Sequence, residues 1–186
     1  KVYEFSLPVG KDGFLATNSL IAYFAILNRL YSNSVNKLSF SNSSILKDVN
    51  TFVDSLTINT SVTVLYNGFS KSIAYDIESK SVEAALYPIL LSDFRNFGHG
   101  RHHWYAKKND SAVIAIATPE DKILANKTLN ALPSHIPKLL LKTTKDNSLG
   151  SIDLLVQSFY LIDKFGESLG IDPGRPGVPA FGRKLY

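Results

Sequence analysis

The chain has 186 residues, 45% of them apolar, a formal net charge of +4 and neither cysteine nor methionine. This size and composition are typical of one α/β domain with an accessory segment, and the absence of cysteine excludes disulfides, thiolate metal sites and thiol nucleophiles. No apolar run is long enough for a membrane helix and no secretory signal stands at the start, so we expect a cytoplasmic protein without a membrane partner. The cationic residues are mostly dispersed, which favours a basic soluble surface over the continuous stripe of a nucleic-acid-binding protein.

The absence of methionine also means that the chain does not contain its own initiator. We therefore expect a C-terminal piece of a longer protein. Its first part, residues 1–60, predicts a helix that Thr17 or Asn18 caps and that runs to about Tyr31, because apolar residues recur there at helical spacing. A Ser- and Asn-rich linker with a short amphipathic helix near residues 44–56 follows, and we place the main domain boundary near residue 60.

From residue 61 to residue 171, short apolar strands alternate with segments of helical periodicity. Strands that are apolar throughout and are separated by helices indicate a parallel sheet covered on both faces. The expected fold class is therefore α/β, a three-layer αβα sandwich with a mostly parallel sheet of the flavodoxin or Rossmann type. A tail rich in glycine and proline, residues 172–186, is not expected to hold regular structure. The expected strands are 61–66, 87–92, 112–118 and 138–142, and the expected helices are 70–86, 119–132 and 151–170.

The segment DFRNFGHGRHHW, residues 93–104, contains three of the four histidines and the only tryptophan. We expect it to be a loop that follows the second strand. His99 stands between two glycines, which leaves its ring free for a ligand, although a loop histidine that only bonds the backbone is an alternative. A zinc site of His99, His102 and His103 is not expected, since adjacent residues on a strand point apart and no glutamate has ligand spacing. Trp104 and the tyrosine after it are expected to cover the core.

The helix expected at 70–86 carries Asp76, Lys80 and Glu83 at positions i, i+4 and i+7, which places them on one narrow face. Two interpretations remain open. The three side chains form a solvated face with a weak Asp–Lys pair, or they point into a cleft where a glutamate acts as a base and a lysine stabilises developing negative charge. The preceding turn, residues 68–72, offers N–H and hydroxyl groups to an anion, but it lacks the pattern of a nucleotide-binding P-loop.

The order of these motifs resembles the sugar isomerase (SIS) family, and within it the second SIS domain of the glutamine–fructose-6-phosphate amidotransferases. That family has a strand, a Gly-x-Gly turn and a helix with Glu, Lys and Glu at i, i+4 and i+7. Here Gly68 precedes Asp76, Lys80 and Glu83, which hold this spacing. The family's Glu-Leu-Lys-His-Gly-Pro segment corresponds to residues 96–101 (NFGHGR). Two further segments are similar to the family, the helix entry at residues 13–18 and the tail at residues 172–184.

The resemblance implies aldose–ketose isomerisation of a sugar phosphate, or a related aminosugar-phosphate isomerisation or deamination, without a cofactor or metal. Glu83 corresponds to the glutamate that moves a proton between C1 and C2, with Lys80 beside it. His99 corresponds to the histidine that opens the sugar ring, in the family within the neighbouring subunit's site. Lys184, or else Arg183, corresponds to the C-terminal lysine. The residues expected to bind the substrate are Asp76, Gly68, Ser70, Arg95, Arg101 and Thr17.

The same resemblance implies partners and an organisation. We expect a homodimer in which His99 acts in trans, and an N-terminal SIS half that supplies the Ser- and Thr-rich phosphate loop missing here. Residues 1–60 would bridge to that half, residues 61–171 would form the SIS domain, and the tail would lie over the active site. The alternative function is a non-catalytic sensor of sugar phosphates. The sequence departs from the family where Arg101 replaces proline and where no glutamate precedes His99.

Overall fold

The computed structural model describes residues 10–32, 43–145 and 147–185. Residues 1–9 and residues 33–42 of the expected Ser- and Asn-rich linker lie outside the described residues. The helices are α1 (Asn18–Ser32), α2 (Ser43–Val53), α3 (Lys71–Glu83), α4 (Phe94–His99), α5 (Lys122–Ala131) and α6 (Asn147–Leu169). The strands are β1 (Ser61–Tyr66), β2 (Ile89–Asp93), β3 (Ser111–Ala117) and β4 (Lys138–Lys142). Short 3₁₀ helices occupy Gly68–Ser70, Arg101–Ala106 and Ala180–Lys184.

The four strands form one parallel sheet in the order β2-β1-β3-β4. The central strand β1 pairs on both sides, with Val64 opposite Leu91 in β2 and opposite Ile114 in β3. Every residue of β3 is buried, as expected of a strand that is covered on both faces. The α/β sandwich that the sequence predicts is confirmed.

Two hydrophobic cores lie on the two faces of this sheet. On one face, α3 and α6 pack with α2, and their buried side chains include Phe52, Ile77 and Phe165. On the other face, α4 and α5 pack through buried side chains such as Phe94 and Leu129. The helix α2 contributes to the same core as the strands, and the domain boundary near residue 60 stays a prediction.

The expected loop at residues 93–104 is wrong, because the structure places this segment in α4 and the 3₁₀ helix that follows. Asp93 caps α4 by accepting a hydrogen bond from the Asn96 N–H at 2.7 Å. Phe94 and Phe97, one helical turn apart, are buried in the second core. Their i,i+3 spacing after an Asp cap is a helix signal. The two glycines of the segment favoured a loop instead, and so this signal was not used in the prediction.

The C-terminal tail begins by packing against α6 at Gly166. The Ile171 N–H donates to the Gly166 carbonyl at 2.9 Å, and a Cβ at Gly166 would lie 2.6 Å from the Pro173 ring. The tail also contains the 3₁₀ helix Ala180–Lys184, so the expectation of no regular structure there is wrong. Proline and glycine exclude a long helix but not a single 3₁₀ turn.

Replacing Gly166 by alanine is expected to lower the free energy of unfolding by about 1–3 kcal/mol, because the added methyl group must displace the backbone of the tail. Urea denaturation followed by circular dichroism measures the change. The matched control is Gly98→Ala in α4, where a Cβ meets no atom within 4 Å and alanine is expected to be neutral or slightly stabilising. Equal stabilities of the two variants would contradict the close packing of the tail.

Across the part of the chain that the structure describes, no helix has both the length and the apolar character needed to cross a membrane.

Candidate active site

The helix α3 buries a pair of opposite charges at its centre. The Lys80 Nζ donates to Asp76 Oδ1, and only 6% of the Lys80 side chain and 16% of the Asp76 side chain are exposed. The ring of Phe159, from α6, lies 5.1 Å from the Lys80 ammonium. The interpretation of a solvated face is therefore wrong for these two residues, because α6 packs over them.

The surroundings of the pair do not fully stabilise the charged form of the Asp76 carboxylate. The pKa of Asp76 is raised, and burial is the largest cause. The Lys80 ammonium lowers this pKa, but less than burial raises it, and the nearby Glu83 raises it further. The second carboxylate oxygen, Asp76 Oδ2, is buried and has no hydrogen-bond partner in the described part of the chain. A buried ion pair of this kind does not stabilise a fold more than well-packed apolar residues would, which makes a functional reason for keeping it worth testing.

Lys80 also lines a cavity of about 180 Å³, which we call the Lys80 cavity. The cavity joins segments that are far apart in the sequence, since Thr17 comes from the start of α1 and Asp163 from α6, while Asp172 comes from the tail. The Phe14 N–H donates to the Gly174 carbonyl at 2.9 Å, which holds the entry of α1 against the tail. Three segments that resemble the SIS family in the sequence therefore meet at one point.

Thr17, which lines this cavity, is hydrogen-bonded to the residue that caps α1. The side chain that caps α1 is Asp12, which accepts hydrogen bonds from the N–H of Asn18 at 2.7 Å and of Ser19 at 3.1 Å. The Thr17 hydroxyl donates to the same carboxylate at 3.0 Å. The expectation that Thr17 or Asn18 caps the helix with its own side chain is therefore wrong, because Asp12 folds back from five residues upstream of Thr17.

Replacing Asp12 by alanine is expected to lower the free energy of unfolding by about 1 kcal/mol at pH 7, the usual effect of losing a helix cap. Burial alone would raise the pKa of Asp12, but the hydrogen bonds from Ser19, Asn18 and Thr17 outweigh it and lower the pKa to about 2. Because the folded pKa lies below the unfolded one, this contribution is present above about pH 4 and is lost as the pH falls towards 2. Urea denaturation between pH 2 and pH 7 measures the loss of unfolding free energy in Asp12→Ala, with Asp110→Ala as the control. A loss that is the same at every pH would contradict the role of the charged Asp12 carboxylate as the cap.

Glu83 occupies a different environment from Lys80, although the two are one helical turn apart. It is exposed at the end of α3, and its Oε1 accepts a hydrogen bond from the Ser79 hydroxyl at 2.5 Å. It is not among the residues that line the Lys80 cavity. Since residues three apart on a helix have neighbouring side chains, Glu83 lies near the Lys80 position but faces solvent.

The turn after β1 is held by its own hydrogen bonds. Gly68 has a φ of +46°, a left-handed conformation that favours glycine. Ser70 is fully buried, and its hydroxyl donates to the Asn67 carbonyl at 2.8 Å and accepts from the Asn67 N–H at 3.0 Å. The structure thus gives Ser70 a turn-forming role, and its contact with a ligand stays a prediction.

Sequence reasoning missed a buried carboxylate beside this turn. Asp121 accepts hydrogen bonds from the Asn67 side chain and from the Thr118 hydroxyl, each at 2.9 Å. These bonds join the carboxyl ends of β1 and β3, where the direction of winding of the sheet changes and where parallel α/β folds bind ligands. The sequence offered only an acidic residue in the first turn of a helix, which normally indicates a response to the helix dipole.

His99 and Lys80 lie on opposite sides of the sheet. His99 is the exposed last residue of α4, whose buried face belongs to the second core, whereas α3 packs in the first. Within one chain His99 therefore does not join the Lys80 cavity. The trans arrangement that the resemblance implies is the way in which the two could meet, and it stays a prediction.

The neighbouring histidines are not arranged as expected on a strand. His102 and His103 lie on the 3₁₀ helix, and their ring centroids are only 4.5 Å apart. The His102 Nδ1 is 3.1 Å from the Phe97 carbonyl. Trp104 is 44% exposed, so the expectation that it covers the core is wrong, whereas Tyr105 is buried. Over the described ranges, no group of three or more His, Asp or Glu side chains is placed to hold a metal ion.

The remaining expected site residues are dispersed over the surface. Arg101 donates from Nη1 to the Leu91 carbonyl at 2.8 Å and so covers an unpaired group on the edge strand β2. Arg95 on α4 and Lys184 at the end of the tail are exposed. The side chain of Arg183 lies outside the described residues. The structure therefore brings together Thr17, Asp76 and Lys80, but not the other predicted residues.

Comparison with known proteins supports the fold through solved structures. No protein-family model matches the chain, and no curated protein matches it. A protein assigned as a phosphosugar isomerase, from Clostridium difficile 630, superposes with a TM-score of 0.63 at 14% identity, over 99% of this chain and 62% of that chain. The C-terminal domain of glucosamine-fructose-6-phosphate aminotransferase from Francisella tularensis superposes with a TM-score of 0.59 at 10% identity, over 84% of this chain and 56% of that chain.

A third structure matches over nearly its whole length. This protein, assigned as a phosphosugar isomerase involved in capsule formation in Bacteroides fragilis NCTC 9343, superposes with a TM-score of 0.52 at 12% identity, over 87% of this chain and 99% of that chain. The chain spans less than two thirds of the first two proteins, at 62% and 56% of their lengths. The parallel sheet in the order β2-β1-β3-β4, the helices on both faces and these superpositions show that the chain has the fold of the SIS domains of phosphosugar isomerases.

Proposed function

We propose that this chain is a phosphosugar-binding domain of a sugar-phosphate isomerase and that the sugar binds at the Lys80 cavity. The observation that carries the proposal is the buried Asp76–Lys80 pair at a cavity formed by four separate segments of the chain. The ammonium of Lys80 is suited to a sugar carbonyl or hydroxyl as negative charge develops on it. The similarity of the fold to phosphosugar isomerases supports this class of ligand.

The size of the cavity supports a site that is shared with another part of the assembly. Pockets for small molecules usually measure roughly 300–1,000 Å³, whereas the Lys80 cavity measures about 180 Å³. It would therefore hold only part of a sugar phosphate. The remainder would contact an N-terminal SIS half, which supplies the phosphate-binding loop, or a second subunit, which supplies His99.

The proposed reaction is the transfer of a proton between C1 and C2 of an open-chain sugar. Glu83 would take the proton from one carbon and return it to the other, and Lys80 would stabilise the enediolate between these steps. His99 of a second subunit would open the ring, and Lys184 would approach from the tail. An aminosugar phosphate would pass through the corresponding enamine.

Binding is tested first, by isothermal titration calorimetry with fructose 6-phosphate, glucose 6-phosphate and glucosamine 6-phosphate. At least one of them is expected to bind, and unphosphorylated fructose is not. Thr17→Val is expected to weaken binding about tenfold, the effect of losing one hydrogen bond in a partly buried site. Thr51→Val on the exposed face of α2 is the matched control. Equal binding by both variants would place the sugar elsewhere.

A specific observation favours a second function, that of a non-catalytic sugar-phosphate sensor. Glu83 is exposed, its carboxylate is already bonded to Ser79, and it does not line the Lys80 cavity, so within one chain the predicted base is not part of the proposed sugar site. Sugar binding without exchange of the C1 and C2 hydrogens with solvent deuterium would support the sensor. Exchange that depends on the sugar phosphate would support the isomerase.

The expected dimer is tested by mixing two variants. If His99 acts in the neighbouring subunit's site, His99→Ala and Glu83→Gln are each inactive alone but recover part of the exchange activity in mixed dimers, because one of the two sites is intact. Labelled subunits verify that mixed dimers form after dissociation and reassociation. If mixed dimers form but recover no exchange activity, the trans arrangement is contradicted.

A further inference from the structure

A further cavity in the described part of the chain lies away from Lys80. It measures about 630 Å³ and separates α1 from the turn after β1 and from the start of α3. We call it the aromatic cavity, because Phe24 and Tyr31 of α1 face Phe69 and Tyr75 across it. Its volume is typical of a small-molecule site, and it adjoins the carboxyl end of the central strand, where α/β folds bind ligands.

The turn fixes the main chain of Phe69 but leaves its ring uncovered. The hydroxyls of Ser72 and Ser151 both lie 3.4 Å from the Phe69 carbonyl, so α3 and α6 hold this residue from two sides. The Phe69 side chain is nevertheless 54% exposed, and Tyr75 is 49% exposed. Burial in the core therefore does not explain these rings, and a contiguous group of exposed aromatic side chains indicates a binding surface.

The cavity has a single positive charge at its edge. Lys71 carries the only charge among the described residues that line it, and its Nζ lies 5.6 Å from the centroid of the Tyr75 ring. The Ser72 hydroxyl lies next to it in the first turn of α3. An anionic group at Lys71 would thus sit directly beside an aromatic face.

These observations favour a ligand with a flat apolar part and one anionic group. A sugar phosphate alone would place its hydroxyls against Phe24, Leu27 and Phe69, where they would lose hydrogen bonds to water without gaining others. A nucleobase has an aromatic face that stacks on such rings, and every kind of base has such a face. A phosphate matches the ammonium of Lys71 in charge.

We propose that the aromatic cavity binds a nucleoside monophosphate, with its base against the exposed ring of Phe69 and its phosphate at the Lys71 ammonium. This site is separate from the Lys80 cavity, since the two share no lining residue. The proposal therefore does not depend on the proposed isomerase function.

The test is isothermal titration calorimetry of the full chain with AMP and UMP, and with ribose 5-phosphate as the probe that lacks a base. At least one nucleotide is expected to bind at least tenfold more tightly than ribose 5-phosphate, because stacking on one aromatic ring contributes about this factor. Phe69→Ala is expected to remove that advantage, and Lys71→Met is expected to weaken nucleotide binding about tenfold. Lys122→Met, an exposed lysine on α5, should leave it unchanged.

Phe69→Leu separates stacking from general apolar contact, because leucine keeps an apolar side chain of similar size without the ring. Loss of the nucleotide advantage in Phe69→Leu supports stacking. Circular dichroism and urea denaturation verify that the variants fold, which is expected because the Phe69 ring is half exposed.

Three outcomes would overturn the proposal. These are equal affinities for nucleotide and ribose 5-phosphate, nucleotide binding that survives Phe69→Ala, and a change of oligomeric state in Phe69→Ala that shows the face to be an interface between copies. None of them bears on the Lys80 cavity, whose sugar binding is expected to respond to Thr17→Val and not to Phe69→Ala. The two proposals can therefore fail separately.

Discussion

Replacing Lys80 by methionine is expected to lower the free energy of unfolding by about 3–5 kcal/mol at pH 7, because it leaves the Asp76 carboxylate buried without its cation. Methionine fills a similar volume, so the loss of charge and not a cavity is the main cause. The Asp76 Oδ2 atom already lacks a hydrogen-bond partner among the described residues, and nothing on α3 would take over the role of the ammonium. Urea denaturation at pH 7 measures the loss.

Two controls make this result specific to the ion pair. Lys122→Met removes an exposed lysine and is expected to change stability by less than about 0.5 kcal/mol. The double variant Asp76→Leu with Lys80→Met is expected to recover most of the loss, since apolar residues of similar volume often replace a buried pair without cost. A single variant as stable as the Lys122 control would show that water or movement relieves the buried carboxylate.

The pH dependence of the Lys80→Met variant follows from the same pair. Burial already raises the pKa of Asp76 in the intact protein, and removing the cation raises it further. A carboxyl whose folded pKa exceeds its unfolded value of about 3.9 destabilises the fold as the pH rises above that value. The penalty of the variant is therefore expected to be small near pH 3 and to grow towards pH 7; a constant penalty would indicate lost packing instead.

Replacing Glu83 by glutamine is expected to reduce sugar-dependent deuterium exchange by a factor of about 10²–10⁴, the usual contribution of a general base. Glutamine keeps the shape of the side chain and can still accept the hydrogen bond from Ser79, so binding of the sugar phosphate is expected to change little. Exchange is measured by NMR of the recovered sugar in D₂O. The measurement uses the protein in its native oligomeric state, because His99 of a second subunit belongs to the proposed site.

Glu78→Gln is the matched control, because it makes the same chemical change on the same helix. Its exchange rate is expected to equal that of the unchanged protein. If Glu83→Gln retained more than about half of the exchange, the proton would have to be carried by another group. If the unchanged protein bound the sugar without any exchange, the sensor function would replace the isomerase function.

The layered fold follows from local patterns in the sequence. The strand β1 was predicted with the bounds that the structure shows, because a six-residue apolar run ends in Asn-Gly, which is a local turn signal. The spacing of Asp76, Lys80 and Glu83 and their order after Gly68 resemble the pattern of the SIS family, and this resemblance needs no knowledge of contacts. Apolar periodicity and motif order are properties of neighbouring residues, and a sequence displays them directly.

Which polar residues share a site depends instead on long-range packing. Lys80 is buried because α6 brings Phe159 over it. Phe159 stands 79 positions further along the chain, so this contact leaves no trace in the local sequence pattern. The convergence of Thr17 with Asp172, and the separation of His99 from Lys80 by the sheet, likewise depend on packing. Burial sets the electrostatic state of a charged side chain, and burial follows from long-range contacts that periodicity does not encode.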